Sequence, residues 1–525
     1  MKILVSDPLA EKGLEILRRE KNCQLDLKPK LPPEDLKRII KDYDGLIIRS
    51  GTKVTKEIIE AAENLKVIGR AGVGLDNVDL EAATKKGIIV MNTPGGNTIS
   101  TAEHTISLIL ALARNIPQAY LSLQEKKWDR KKYTGVQLYG KTLGIVGMGR
   151  IGTEVAKRML SFGMAVIVSD PFISLEKAEK LGVHLVESKD LFKKADFITV
   201  HVPLTEGTKH LIGKEAFSLM KKEVRIINCA RGGIIDEAAL LEAIKKGKVA
   251  GAALDVYEKE PPTDNPLLNL PQVVVSPHLG ASTEEAQVGV AVEIAQQIVD
   301  AFKGNVRNAA NLPSLEPEVL KGIKPYLVLA EKLGLLQAQL TEGRITDVKV
   351  RYSGEVLEYD VTPLTVALVK GLLTPLFQES VNFVNAPVIA QERGMKVIES
   401  KSSITEDFTN LILVEVETSK GKSVVSGTIF GKNDPRVVRI NDYHVDAVPS
   451  GYMLLCFHTD HPGIIGQIGV LLGKNKINIA NMTLGRRKIG EEAVTVLNID
   501  SSVSKEVLKE IKKTRYIREI KSVKL

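Results

Sequence analysis

The chain has 525 residues, room for about three or four domains of ordinary size, and 44% of them are hydrophobic, enough for several buried cores. Its 72 lysines and arginines exceed its 64 aspartates and glutamates by 8, a modest excess with no dense basic tract, which argues against nucleic acid as a partner. No run is apolar enough to span a bilayer, the first six residues read as a strand rather than a signal peptide, and Cys23, Cys229 and Cys456 fit neither a zinc site nor a disulfide framework; we expect a soluble cytoplasmic protein with no metal and no membrane partner.

Residues 1–97 alternate short apolar strands (3–6, 45–48, 66–69 and 88–91) with helices (10–19, 33–41 and 56–62). That rhythm predicts a small parallel sheet covered on both faces. Polar residues gather where the strands end: Arg49 and Ser50, then Arg70, then Asn97. Ligands of open α/β sheets bind outside those ends, so an anion site is expected there, although arginines at strand ends are also commonly solvated. Residues 99–113 read as a mostly apolar helix crossing to a second domain, with His104 as a satisfied core residue. The basic stretch from Trp128 to Tyr133 suits a subunit interface or a solvated loop equally.

From Lys141 a second strand–helix series begins, and its first turn organises the chain. An apolar strand runs into Gly147, Gly149 and Gly152, spaced G-x-G-x-x-G, and Val155 and Met159 continue behind them at helical spacing. In a dinucleotide site the first glycine permits the turn, the second lets a pyrophosphate approach, and the third lets helix and strand pack. The next strand delivers Asp170, placed for the ribose and disfavouring a 2′-phosphate, so NAD is the expected cofactor. Six strands are expected by residue 276, matching a dinucleotide domain. The helix 283–302 is long enough to return to the first domain.

Three charged groups lie at strand ends of this series. Arg231 follows Cys229 and Ala230 and precedes two glycines; Asp255 and Glu260 flank a loop stiffened by Pro261 and Pro262; His278 follows Pro277 and precedes Gly280 and Ala281. Alcohol oxidation needs a hydride acceptor and a proton acceptor. His278 suits the second role, Glu260 can orient its ring, and Arg231 can fork onto a carboxylate or keto oxygen.

These stretches resemble the D-isomer-specific 2-hydroxyacid dehydrogenases, in a long form with two extra C-terminal domains. The resemblance implies Arg231, Glu260 and His278 as the catalytic set. It implies Gly147, Gly149, Arg150, Ile151, Gly152, Asp170, Cys229, Ala230, Arg231, Asp255, His278, Gly280 and Ala281 around NAD. Arg49, Ser50, Arg70 and Asn97 would hold a phosphorylated hydroxy acid, 3-phosphoglycerate, with Arg130 offered by a neighbouring subunit of a homotetramer. The alternatives are a relative acting on glycerate or lactate and a non-catalytic NAD(H)-sensing protein of the corepressor type. The cationic set argues against the first and the intact catalytic set against the second.

Residues 311–317 read as a linker. Beyond it, residues 319–339 and 363–376 read as helices and 347–352, 412–417 and 423–429 as strands, without a catalytic motif. This stretch resembles the intervening domain of the long form, as an allosteric site or a spacer. Residues 450–525 follow the order βαββαβ, the ferredoxin-like fold. They resemble an ACT domain, which binds amino acids, and His458, Asp460 and Asn478 are the residues expected to receive an effector at an interface between two such modules, with L-serine the candidate. A dimerisation module without a ligand is the alternative. The fold expected is therefore α/β: a flavodoxin-like substrate domain (1–97 with 282–310), a Rossmann-type domain (98–281), an α+β intervening domain (311–449) and the ACT domain (450–525).

Overall fold

The computed structural model describes residues 1–313, 317–377, 381–404 and 407–525, so residues 314–316 of the expected linker lie outside the described residues. The first sheet is parallel throughout. Its spatial order is Gln24–Leu27, Lys2–Val5, Gly45–Ile48, Val67–Arg70 and Ile89–Met91. That is the flavodoxin-like order, 2-1-3-4-5. Ile3, Leu4, Leu46, Ile48 and Ile68 are all 0% exposed, because helices cover both faces. Gln24–Leu27 had no counterpart in the sequence reading: it lies on the sheet edge, its side chains are partly or fully exposed, and it needs no apolar run. The helix Glu284–Phe302 returns to this domain, and its Ile294 and Ile298 close over the middle of the sheet at Gly69.

The second sheet has seven parallel strands rather than the six expected. Its order is Val273–Val275, Val249–Leu254, Val224–Asn228, Phe197–Val200, Thr142–Val146, Ala165–Ser169 and His184–Leu185. The additional strand is two edge residues, too short to show any periodicity. The order reverses between Thr142–Val146 and Phe197–Val200. A crevice opens at the carboxyl ends of strands at such a switch point. The helix Thr98–Arg114 packs Ala102, Ile109 and Ala113 into the core beneath that crevice.

The third sheet, Lys396–Ser402, Ile345–Gly354, Asn410–Thr418, Gly421–Phe430, Asp434–Ile440 and Tyr443–Ala447, is antiparallel apart from its first pair. Helices Pro317–Leu340 and Thr362–Leu373 cross so closely that a Cβ on Gly334 or Gly371 would run into the other helix's backbone. The last sheet is antiparallel, in the order Ile479–Arg486, Glu492–Ile499, Tyr452–Thr459 and Ile517–Lys524, with helices Ile464–Lys474 and Lys505–Lys512. Alternation along a strand gives it two apolar faces. Leu454, Cys456 and Leu497 meet the terminal helices, whereas Met453, Leu455, Val494, Val496 and Val523 join the core of the third sheet. The two C-terminal units therefore share a core. They also touch the first domain, through Lys85 Nζ and Glu392 Oε1 at 3.0 Å and the Asn382 amide on the Gly87 carbonyl at 2.9 Å. Among the described residues, no single helix is long and apolar enough to cross a membrane.

Candidate active site

The glycine turn is shaped by close backbone approach. Gly147 adopts φ +94, and a Cβ there would lie 2.6 Å from the His201 carbonyl oxygen; a Cβ on Gly152 would run into the Gly147 carbonyl. Gly149 differs, since nothing lies within 4 Å of its Cβ position. The free volume stands at the N-terminus of the helix Arg150–Ser161, where unpaired N–H groups and the helix dipole favour a pyrophosphate. Arg150 is exposed beside it and Ile151 half-buried. Asp170 is held by the Met148 N–H at 2.6 Å and the Phe172 N–H at 2.8 Å. A carboxylate has about four lone-pair positions, so two remain for ribose hydroxyls. The residues present therefore fit NAD.

In the loop after the strand Val273–Val275, His278 Nδ1 lies 2.9 Å from Glu260 Oε2, and Glu260 Oε1 accepts the Tyr257 N–H at 3.2 Å. The His278 and Glu260 side chains are 51% and 40% exposed, so a small molecule can reach them. The loop that carries Arg231 packs against the loop that carries Glu260: a Cβ on Gly232 would run into the Tyr257 carbonyl. Arg231 Nη1 donates to the Ala230 carbonyl at 2.7 Å, and its Nε donates to Asp76 Oδ2 at 3.2 Å. Asp76 belongs to the first domain, so this pair spans the cleft.

The strand ends of the first sheet supply the remaining cations. Ile48 and Arg70 are register partners, which brings Arg49, Ser50 and Arg70 to one edge of the cleft. Arg49 is anchored by its backbone N–H on Asp7 Oδ2 at 2.6 Å and by Nη1 on the Pro8 carbonyl at 3.2 Å; Ser50 is exposed. Burial, and then the nearby charge of Arg231, lower the Arg70 pKa. Arg70 Nε, Asn97 Oδ1 and Thr93 Oγ1 are buried with no hydrogen-bond partner. Buried polar atoms are seldom left so, and these three lie along the strand ends where a ligand is expected.

The structure distributes other expected residues differently. Asp255 is 0% exposed and presents no surface to a cofactor; its carboxylate accepts the Ser276 hydroxyl at 2.6 Å, the Leu279 N–H at 2.7 Å and the Gly280 N–H at 2.9 Å. Burial alone would raise its pKa, but these bonds and His104 hold it below the ordinary carboxylate value. Cys229 is also buried, which pushes its thiol up to about 12 and keeps it neutral. Ala230 and Ala281 are half-buried at the crevice, and Gly280 is buried with its N–H on Asp255. Arg130 is exposed on the loop after Ile116–Gln124. Burial pushes His201, whose carbonyl walls the glycine turn, down to about 4; His210 pairs with Glu258 at 3.1 Å.

The sequence reading missed Asp76, Tyr257 and Thr93 and took His104 for a core residue. Asp76 and Thr93 lie in or beside strand-end loops already singled out, a signal that could have found them. His104 is a lone histidine on an apolar helix and offers no such signal.

In the last domain, His458 is buried, with Nε2 2.8 Å from Thr495 Oγ1. Asp460 pairs with Arg486 at 3.2 Å, while Asn478 donates to Asp500 at 2.8 Å. Asp460 adjoins the start of the strand Glu492–Ile499 and Asn478 its far end. At about 3.3 Å per residue these ends are roughly 23 Å apart. One chain therefore does not bring Asp460 and Asn478 together.

Oxidation of an alcohol requires a hydride acceptor for the carbon and a proton acceptor for its hydroxyl; the glycine turn fits a nucleotide that supplies the first, and the His278–Glu260 pair is chemically suited to the second. The protein is an NAD-dependent dehydrogenase of the class that acts on 2-hydroxy acids. Residues 106–280 match the NAD binding domain of the D-isomer specific 2-hydroxyacid dehydrogenases, residues 322–441 the D-3-phosphoglycerate dehydrogenase intervening domain, and residues 452–515 the ACT domain. The chain is 48% identical to the D-3-phosphoglycerate dehydrogenase of Methanocaldococcus jannaschii over 527 residues, covering 100% of both chains. It is 44% identical to that of Bacillus subtilis over 525 residues, covering 100% of this chain and 99% of the other. Among solved structures, D-lactate dehydrogenase from Aquifex aeolicus, complexed with NAD and lactic acid, matches with a TM-score of 0.54 and 29% identity over 60% of this chain and 100% of that one. The chain belongs to the D-3-phosphoglycerate dehydrogenase family, in the long form that carries both C-terminal domains.

Proposed function

We propose that this chain oxidises 3-phospho-D-glycerate at C2 to 3-phosphohydroxypyruvate, the first step towards L-serine, with Arg231, Glu260 and His278 as the catalytic set. NAD, held by the turn of Gly147, Gly149 and Gly152 and by Asp170, would supply the hydride acceptor for C2. His278 takes the hydroxyl proton: Glu260 on Nδ1 selects the tautomer that leaves Nε2 free as the base, and stabilises the imidazolium that forms. Arg231 forks onto the substrate carboxylate or the developing keto oxygen. Arg49, Arg70, Ser50 and Asn97 take the phosphate, with Arg130 supplied by a neighbouring chain.

The single observation that carries this reading is the buried, unpartnered Nε of Arg70 beside the open cleft. A second arginine, Arg49, stands on the adjacent strand end, so the site suits a substrate with two anionic groups better than glycerate or lactate. We divide the chain into a substrate-binding domain (1–97 with 282–310), an NAD-binding domain (98–281), an intervening domain (311–449) and an ACT domain (450–525). We further propose that L-serine binds where His458 and Asp460 of one ACT domain meet Asn478 of a second. The separation of Asp460 and Asn478 within one chain supports a site made by two chains, and hence an oligomer, which we take to be a homotetramer.

The deciding assay follows NADH formation from 3-phosphoglycerate, glycerate and D-lactate in parallel. We expect kcat/KM to favour 3-phosphoglycerate by at least about a hundredfold, the worth of one lost pair of charge-assisted bonds. Equal rates on glycerate would overturn the phosphate site, and binding of NADH without turnover on any substrate would favour a sensor.

A further inference from the structure

An ionised carboxylate as deep as Asp255 must be met by donors. Three come from its own neighbourhood: Ser276 Oγ, Leu279 N–H and Gly280 N–H. A further group within reach of the carboxylate comes from a different element. His104, on the helix Thr98–Arg114, places Nε2 3.1 Å from Asp255 Oδ1 and 3.2 Å from Ser276 Oγ. The Ser276 hydroxyl proton is spent on Asp255 Oδ1 and an ionised carboxylate only accepts, so Nε2 carries the proton toward both.

This frame holds the catalytic loop. The His278 N–H donates to the Asp255 carbonyl at 2.9 Å, while the Asp255 carboxylate takes the next two N–H groups. His278 itself sits at φ +55, a conformation that non-glycine residues keep only where the surroundings impose it. The helix bearing His104 adds two more bonds to the same loop: Thr101 Oγ1 donates to the Gly280 carbonyl at 3.1 Å, and Ser100 Oγ lies 2.7 Å from Thr283 Oγ1.

We infer that His104 is a positioning residue for the reaction: from the helix that begins beside Asn97, it supplies the N–H that seats Asp255, and through Asp255 it holds His278 against Glu260 and the substrate hydroxyl. A histidine that merely filled core space would have no need of a buried carboxylate at Nε2. The inference rests on His278 being the base.

The test uses the full chain with NAD and 3-phosphoglycerate. His104→Met removes the donor at similar size, and His104→Gln keeps an N–H. His104→Met should lower kcat about tenfold to a hundredfold, the cost of misplacing a reacting group by about 1 Å. KM for both substrates should stay within about threefold, because the chemical step is affected and not binding. His104→Gln should recover most of the loss, and His104→Met should cost nothing further once Asp255 is alanine. Unchanged kcat in His104→Met overturns the inference. So do equal losses in the Met and Gln variants, a loss confined to KM, or an additive double variant. His278→Ala, run alongside, separates the two readings: if it stays active the base assignment fails, whereas an inactive His278→Ala beside an unaffected His104→Met sinks only the role of His104.

Discussion

Arg231 and Asp76 face one another across the cleft, with the arginine Nε donating to Asp76 Oδ2 at 3.2 Å. One sits at a strand end of the seven-stranded sheet, the other in the loop after a strand of the five-stranded sheet. The loop of Asp76 presses close, since a Cβ on Gly74 would run into Arg231 Nη2. The Asp76 side chain is 66% exposed, so the pair contributes only about 0.2–1 kcal/mol. Its consequence is orientation: with Nε on Asp76 and Nη1 on the Ala230 carbonyl, the remaining N–H groups are left for a substrate anion. Asp76→Ala should raise KM for phosphoglycerate about twofold to fivefold and leave NAD affinity unchanged, as read by steady-state kinetics and NADH fluorescence titration. An unchanged KM would mean that Arg231 needs no partner across the cleft.

His278→Ala should lower kcat about 10²–10⁴-fold, the range for losing a general base. Glu260→Gln should cost less, because an amide can still accept from Nδ1 but cannot stabilise the imidazolium as a charge does. Stopped-flow traces of NADH formation check both. Near-normal turnover in a folded His278→Ala variant removes it from the proton-transfer step.

Asp170→Ala should bring the kcat/KM values for NAD and NADP closer together. It removes both a ribose acceptor and the charge that repels a 2′-phosphate. The Met148 N–H would also lose its 2.6 Å acceptor, so some loss with NAD is expected as well. Equal use of the two cofactors by the unaltered enzyme would contradict the role given to Asp170.

Arg49→Ala and Arg70→Ala should weaken phosphoglycerate selectively. Each charge-assisted bond contributes roughly 1.5–3 kcal/mol, about tenfold to a hundredfold in affinity. Arg70→Ala should be the more severe, because its Nε is buried and unpaired whereas Arg49 already holds the Pro8 carbonyl. Parallel losses on glycerate would indicate damage to the fold instead.

Inhibition by L-serine, the proposed effector, should be weakened about tenfold or more by Asp460→Ala, the cost of about one lost charge-assisted bond, as read by kinetics and calorimetry. Point variants suit this test better than deletion of residues 451–525. The terminal sheet supplies Met453, Leu455, Val494 and Val496 to a core shared with the intervening domain, and its removal would uncover that core. A serine titration that neither releases heat nor slows the enzyme would leave the ACT domain structural, or answering to another ligand.

What the sequence determined by itself is the chemistry written in contiguous residues. The spacing of Gly147, Gly149 and Gly152 is a property of one turn, and Asp170 follows on the next strand, so the nucleotide site is legible without a fold. The strand–helix rhythm likewise marks the parallel sheets, because strands buried on both faces must be apolar throughout. Edge strands escape this logic: Gln24–Leu27 is largely solvated and His184–Leu185 has only two residues, so neither carries a pattern.

Only the tertiary structure decided which distant residues meet. Arg231 and Asp76 are 155 positions apart, and His104 and Ser276 are 172 apart. Nothing local to either residue specifies such a partner; the packing of whole domains does. The same holds for Asp255, whose carboxylate resembles a cofactor ligand in sequence and becomes a buried brace once the helix Thr98–Arg114 and the 278–280 loop close around it. It holds again for Asp460 and Asn478, expected together at an interface between modules, which antiparallel register places at opposite ends of one sheet.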